Sequence, residues 1–144
     1  MLAVIPAVDE NDLSAAFAIR RKVFCEEQGV AIDADLDGLD ADATHLLALW
    51  NDAPVGTLRW RILEGSGEAK VERVAVLPAE RHRGIGQALM RAALDAIARK
   101  APRAIRLNAQ THVVGFYEVL GFCPEGPVFE EEGIPHRRMR LPLP

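Results

Sequence analysis

Apolar and polar positions alternate at the start of the chain and then change period several times. Leu2 to Val8, with Val4, Ile5 and Val8 apolar, reads as a first strand in which Pro6 marks an edge or bulge. Leu13, Ala16, Phe17, Val23 and Phe24 then recur at three- and four-residue spacing, which predicts a helix capped by Asn11 or Asp12 and stopped by Gly29. His45–Trp50 and Val55–Ile62 return to strand character on either side of Asn51-Asp52-Ala53-Pro54, turn chemistry that predicts an antiparallel hairpin. A second turn, Glu64-Gly65-Ser66-Gly67, leads into a strand from Ala69 to Leu77 that ends at Pro78. From Ile85 the period becomes 3.6: Ile85, Leu89, Ala92, Ala93, Ala96 and Ile97 form one apolar stripe of a helix that ends before Pro102. Ile105–Ala109 predicts a short strand, Val113–Leu120 a short helix closed by Gly121, and Val128–Leu141 a final hairpin. The order β, α, β, β, β, α, β, α, β, β predicts an α/β fold: a mixed sheet with helices packed on its faces.

Length and composition narrow the classes without naming one. A chain of 144 residues is expected to form one domain over 1–144. With 49% hydrophobic and 26% charged residues, it falls outside the disordered and low-complexity classes. Cys25 and Cys123 lie far apart without C-x-x-C spacing, which reads as reduced thiols of a cytoplasmic protein and gives no zinc or other metal site. The first residues lack a basic segment before an apolar run, and no stretch approaches the roughly 20 apolar residues of a membrane span, so neither a signal peptide nor a membrane partner is expected. A net charge of -4 argues against nucleic acid as partner, because counterion release needs a basic surface. That average hides a gradient. Residues 1–58 hold 3 basic and 11 acidic side chains, whereas residues 59–106 hold 11 basic and 5 acidic ones. Such a division suits a site that sets an anionic cofactor against a cationic substrate.

The strongest local signal lies where the 69–77 strand meets the 85 helix, through Arg81-His82-Arg83-Gly84-Ile85-Gly86-Gln87-Ala88. Unpaired N–H groups of a helix's first turn converge there with the positive end of its dipole, and Gly84 and Gly86 lack side chains that would block a phosphate. Arg81, Arg83 and Arg91 add positive charge. A dinucleotide fingerprint would need a third glycine where Leu89 stands, and no G-x-x-x-x-G-K-[ST] exists, so the Rossmann and P-loop readings both fail. What stands is R-x-x-G-x-G, followed about thirty residues later by Phe116-Tyr117-Glu118-Val119-Leu120-Gly121-Phe122.

These two motifs, in this order, resemble the GNAT superfamily of acetyl-CoA-dependent N-acetyltransferases, and the resemblance covers nearly the whole chain. Phe24-Cys25-Glu26-Glu27-Gln28-Gly29-Val30, the Asp-rich loop ending at His45, Leu107-Asn108-Ala109-Gln110 and Gly133-Ile134-Pro135-His136 further resemble its ElaA-like branch. The resemblance implies acetyl transfer from acetyl-CoA, as cosubstrate, to an amine by direct attack in a ternary complex. Polyamine-like amines, amino sugars, amino acids and protein amines all stay open, and the acidic front half tilts the reading toward a small-molecule, cationic acceptor. It also implies that free backbone groups of Val74 and Val76 pair with the pantetheine arm, and that the amides of Arg81, His82, Arg83, Gly84, Ile85, Gly86, Gln87 and Ala88 hold the pyrophosphate. Tyr117 would protonate the departing thiolate and, with Gln110, which stands where many members carry Asn, also touch the cofactor. His82 stands where many members have glycine. Homodimers are frequent in the family. A non-catalytic acyl-CoA-binding module of the same fold is the alternative, since a fold does not dictate an activity.

A general base is needed to remove the amine proton. Glu72 is the first choice, because period-two alternation puts it on the same sheet face as Val74, with His45 and His136 as alternatives. Glu26 and Glu27 at the end of the first helix, together with His45, Asn108 and His136, are expected to face the acceptor. Asp33-x-Asp35-x-Asp37-Gly38 matches the start of a calcium loop, but Ala41 and Thr44 occupy its ninth and twelfth positions, so the ligand set is incomplete. The aspartates are read instead as a solvated loop or an acidic rim that attracts a cationic acceptor.

Overall fold

The computed structural model describes residues 1–144. Its order is β1 (Leu2–Pro6), α1 (Glu10–Arg20), a π-helical continuation (Arg21–Glu27), α2 (Ile32–Asp35), β2 (Thr44–Trp50), β3 (Ala53–Ile62), β4 (Ala69–Val76), α3 (Ile85–Ala98), β5 (Ala104–Gln110), α4 (Val114–Val119), β6 (Cys123–Glu131) and β7 (Ile134–Pro142). All seven strands join one sheet in the order β1-β2-β3-β4-β5-β7-β6, antiparallel except between β4 and β5. The expected mixed α/β architecture is what forms. Helix α3 buries Ile85, Leu89, Met90, Ala93 and Ile97 against one face, which Tyr117 and Phe122 of the α4 region extend, while Ala16, Ile19 and Val23 of the first helix cover Leu47 and Ala75 on the other.

Local chemistry explains where elements begin and end. Asp9, rather than Asn11 or Asp12, caps α1: its Oδ1 accepts from the Asp12 N–H at 2.8 Å. The predicted turn of four residues shortens to Asn51-Asp52, both left-handed at φ +49° and +69°, the type I′ geometry whose twist matches the flanking strands. The last hairpin starts earlier than the apolar pattern predicts, at Cys123, because β6 is an edge strand with most of its side chains in solvent.

Two features of the sheet shape everything downstream. First, β4 and β5 pair only at Ala69–Ile105 and Lys70–Arg106 and then diverge. Second, β4 carries a bulge: Glu72 opposes Arg59 and Ala75 opposes Thr57, so Arg73 and Val74 together face Leu58. Arg73 takes φ +58°, a conformation that costs a non-glycine residue free energy and must be held by its surroundings.

What holds it is a cluster of charges beneath the sheet. Arg20 and Arg59 are 1% and 0% exposed. Arg20 bonds Asp40 at 2.7 Å and Asp35 at 3.2 Å, and Arg59 bonds Asp37 at 2.6 and 2.9 Å, Asp40 at 2.8 Å and Glu72 at 2.9 Å. Arg73 completes the set, 3.2 Å from Asp35 and 3.3 Å from Asp37. Asp35, Asp37 and Asp40 are thus consumed by arginines as the counter-charge of two buried guanidinium groups, rather than forming a solvated loop or an acidic rim, whereas Asp33 and Asp42 stay exposed without a cationic partner.

Burial works against ionisation of Glu72, but hydrogen bonds from Arg61 and the charges of Arg59 and Lys70 outweigh it and hold the carboxyl down at about 2. Asp37 is likewise held below the usual carboxylate range by its hydrogen bond from Arg59. A depressed folded-state pKa contributes stability above the unfolded value, near 4, and loses it as pH falls toward the folded value. Resistance to urea is therefore expected to be flat above about pH 5 and to fall steeply between about pH 4 and 2. Replacing Glu72 with Gln should flatten that fall, as read from unfolding midpoints across the range.

Candidate active site

The divergence of β4 from β5 opens a cavity of about 960 Å³ that runs from the end of β4, past the start of α3, to the β6–β7 turn. Its floor is Val71 to Val76 on one side and Leu107 to Gln110 on the other. The N–H of Leu77 bonds Val55 O across β3 at 2.9 Å, so by alternation the polar groups of Val76 point away from β3 and into the gap. One of them is occupied: Arg81 Nε donates to Val76 O at 3.0 Å.

At one end of the cavity, the loop before α3 is shaped to receive an anion. Gly84 is the N-cap of α3 in the left-handed conformation, φ +77°, and no side chain caps the first turn. No acidic residue lies in that turn, so the positive end of a 14-residue helix is left uncovered. His82 is also left-handed, at φ +68°, which accounts physically for a glycine being the common residue there. Gly86 lies inside α3 without a left-handed φ, and a Cβ there would meet the Phe116 ring only at an ordinary contact distance of 3.4 Å, so the glycine keeps the first turn open to an approaching group rather than relieving a clash.

The arginines expected to flank a phosphate are partly engaged. Arg81 forms a bidentate pair with Glu27 at 2.7 Å for both bonds, and this hydrogen bond lowers the Glu27 pKa. Arg83 bonds Glu80 at 3.0 Å and lies over the Trp50 ring at 5.1 Å. His82, Gly84, Ile85, Gly86 and Gln87 line the cavity with Arg81, whereas Arg83 and Ala88 do not.

Tyr117 projects from α4 into the middle of the cavity. It is 7% exposed, packed edge-on against Phe116 and Phe122 at 5.0 and 6.1 Å, and its hydroxyl bonds no protein group. Burial pushes its pKa well above that of an ordinary phenol. The phenol keeps its proton at neutral pH.

Several expectations about the acceptor end need correction. Glu72 does not share a face with Val74, because the bulge at Arg73 and Val74 inserts one residue and inverts the alternation. It lines the cavity, but within 3.2 Å it meets Arg59, Arg61 and Lys70, and a carboxylate so neutralised has little affinity for another proton. It is a poor base. Glu26 is exposed and outside the cavity, and Glu27 is committed to Arg81. His45 is buried far from the gap, its Nε2 at 2.9 Å from Asp40 O and its ring edge-on to Phe17 at 5.7 Å. Asn108, Gln110 and His136 do line it.

The chain also contributes residues that sequence reasoning did not single out. Gln28 exchanges amide bonds with Gln110 at 2.9 and 3.4 Å, tying the first helix to β5 across the gap. Glu131 and Glu132 bring carboxylates to the cavity from the β6–β7 turn. Their place depends on the strand order, in which β7 inserts between β5 and β6, and a pattern of apolar positions carries no record of that order.

Residues 17–143 match the family model described as the acetyltransferase (GNAT) domain. The chain is 38% identical over 140 residues to the uncharacterized N-acetyltransferase YjcF of Bacillus subtilis, covering 96% of this chain and 98% of the relative. The crystal structure of Escherichia coli ElaA superposes with a TM-score of 0.88 at 31% identity, covering 98% and 99% of the two chains. That of an acyl-CoA N-acyltransferase from Pseudomonas aeruginosa does so with 0.86 at 30%, again over 98% and 99%. The glycine loop, the divergent strands and Tyr117 share one cavity, and the family match spans nearly the full length: this chain belongs to the GNAT acetyltransferase family.

Proposed function

We propose that the protein moves the acetyl group of acetyl-CoA to the primary amine of a small, cationic acceptor, in a ternary complex without an acyl-enzyme. The observation that carries this reading is the uncovered N-terminus of α3, opening into the same cavity as the gap between β4 and β5 and the Tyr117 hydroxyl. A diphosphate would meet the amides of Gly84 to Gln87, and the peptide-like arm would supply to β4 the hydrogen bonds that β5 withholds. The acyl end would then reach Val74, at the bulge of β4. Acyl-CoA use by the similar Pseudomonas aeruginosa enzyme, as its name states, supports the same cofactor here. Two cysteines without a disulfide are in keeping with a cytoplasmic setting.

Tyr117 is the acid of this reading. The departing thiolate is desolvated in the same cavity and its proton affinity rises as well, so a buried phenol at hydrogen-bond distance can complete the transfer. Holding amine and thioester together supplies the larger share of the rate. Glu132, which has no cationic partner, and Glu131 favour a cationic acceptor, a role that the acidic front of the chain does not fill.

Gly86→Asp tests the phosphate end. An aspartate in a first helical turn favours the helix, so the fold should hold or gain slightly, while its charge sits where a phosphate must enter. Acetyl-CoA affinity by calorimetry is expected to drop about tenfold or more, the equivalent of about 1.4 kcal/mol. In the unmodified protein, acetyl-CoA at a hundredfold excess over Kd should raise stability by about 2.7 kcal/mol. No shift at saturating acetyl-CoA would sink the proposal, and tight binding without thiol release for any amine would favour the binding-module alternative.

A further inference from the structure

We propose that His136 is the general base of this transfer, a reading that rests on the acetyltransferase function above: its Nε2 takes the proton of the attacking amine, and Glu131 steadies the imidazolium that forms. Among the cavity's ionisable side chains, most are committed. Glu72 is held by Arg59, Arg61 and Lys70, Glu27 by Arg81, and Asp35 by Arg20 and Arg73. His82 belongs to the loop before α3, and His112 is exposed with no bond to orient it.

His136 differs in every respect. It lies on β7, in register with Gln110 of β5 on one side and Phe129 of β6 on the other, so the sheet sets its position. The residue is 8% exposed, and its ring stacks on Phe129 with centroids 5.9 Å apart and planes 25° from parallel. Nδ1 lies 2.7 Å from the carbonyl oxygen of Ile134. A carbonyl can only accept, so Nδ1 carries the proton and the lone pair of the neutral ring is left on Nε2. Nε2 is 3.7 Å from the Glu131 carboxylate, beyond hydrogen-bond distance, so no direct bond occupies its lone pair. The arrangement is that of a base oriented by one acceptor and electrostatically supported by another. The polar and charged groups on the elements beside it include Glu130, Glu131 and Glu132 of β6 and its turn, Gln110 of β5, joined to Gln28, and His112 of the short turn packed against β7.

The step balances. An uncharged amine attacks the thioester carbonyl, and the C–N bond forms as the N–H proton passes to Nε2. The C–S electron pair leaves with sulfur, which takes the proton of Tyr117. Exchange with water then returns a proton to tyrosinate and removes one from imidazolium. One amine and one thioester have become one amide and one thiol.

The test follows thiol release from acetyl-CoA with spermidine, glucosamine and lysine across pH, for the unmodified protein, His136→Asn and Glu131→Gln. Asparagine keeps a side-chain N–H able to reach Ile134 O but removes the accepting nitrogen. Its kcat/KM is expected to fall about a hundredfold or more, to lose the limb that rises with pH, and to recover partly with added imidazole, while acetyl-CoA affinity is unchanged. Glu131→Gln should lower kcat and leave acetyl-CoA affinity unchanged, since the imidazolium formed during the transfer loses its nearby carboxylate. A His136→Asn protein that keeps the unmodified kcat/KM and pH limb overturns His136 alone. Absence of acetyl-CoA binding in the unmodified protein instead overturns the transferase reading beneath it. Nitrogen NMR of the imidazole provides a readout that needs no acceptor: a neutral ring protonated on Nδ1 is expected, and protonation on Nε2 overturns the proposal.

Discussion

Replacing Tyr117 with Phe should lower kcat by about a hundredfold or more, the usual worth of a positioned acid, and leave acetyl-CoA affinity nearly unchanged. The phenol sits among Phe116 and Phe122 and its hydroxyl bonds nothing in the protein, so phenylalanine fills the same space without leaving a broken contact. Stability should stay the same or rise slightly. The effect isolates proton donation, and poorer leaving groups sharpen it: a thioester whose thiol has a low pKa needs the acid less and should be less sensitive to the change. Steady-state thiol release with acetyl-CoA and an activated thioester, side by side, makes the measurement. An unaltered kcat would assign Tyr117 to packing.

The second large effect concerns the fold. Arg59→Met should destabilise the protein by about 3–5 kcal/mol, the range observed when one partner of a buried ion cluster is deleted. Methionine matches the stem of arginine in bulk, yet Asp37, Asp40 and Glu72 would face one another without the guanidinium that joins them. Against a total of about 5–15 kcal/mol for a typical domain, that loss is severe. Combining Arg59→Met with Asp37→Asn and Glu72→Gln should restore much of it, because the cost lies in the orphaned charges rather than in the missing side chain. Urea midpoints of the single and triple variants decide the matter; a triple variant no more stable than the single one would contradict this account.

Regular elements could be read from the chain wherever one periodicity ran long enough. The stripe from Ile85 to Ile97 is the clearest case, and α3 forms where it predicts. The glycine loop could be read too, because its chemistry is local: Gly84 takes the left-handed φ and Gly86 leaves the first turn of α3 without a side chain. Non-local features could not be read. Nothing in Glu72-Arg73-Val74 announces a bulge, and a single inserted residue sent Glu72 to the opposite face from the one that alternation implies. Likewise Asp35, Asp37 and Asp40 look like solvated loop residues until Arg20 and Arg59, on separate elements, are brought beneath them. The acceptor end depends on β7 inserting beside β5, a choice made by the whole sheet.

The two-rung contact between β4 and β5 makes the sheet a pair of plates joined by a short seam. Amides along the open stretch lack the ladder that slows exchange elsewhere, so in deuterium they should be among the earliest strand protons to trade with solvent. A peptide-like arm lodged in the opening would act as a temporary eighth strand and mute that exchange on both banks. The cosubstrate would then be a mortar for the protein as well as a reagent, and its departure after each turnover would leave the seam free to breathe.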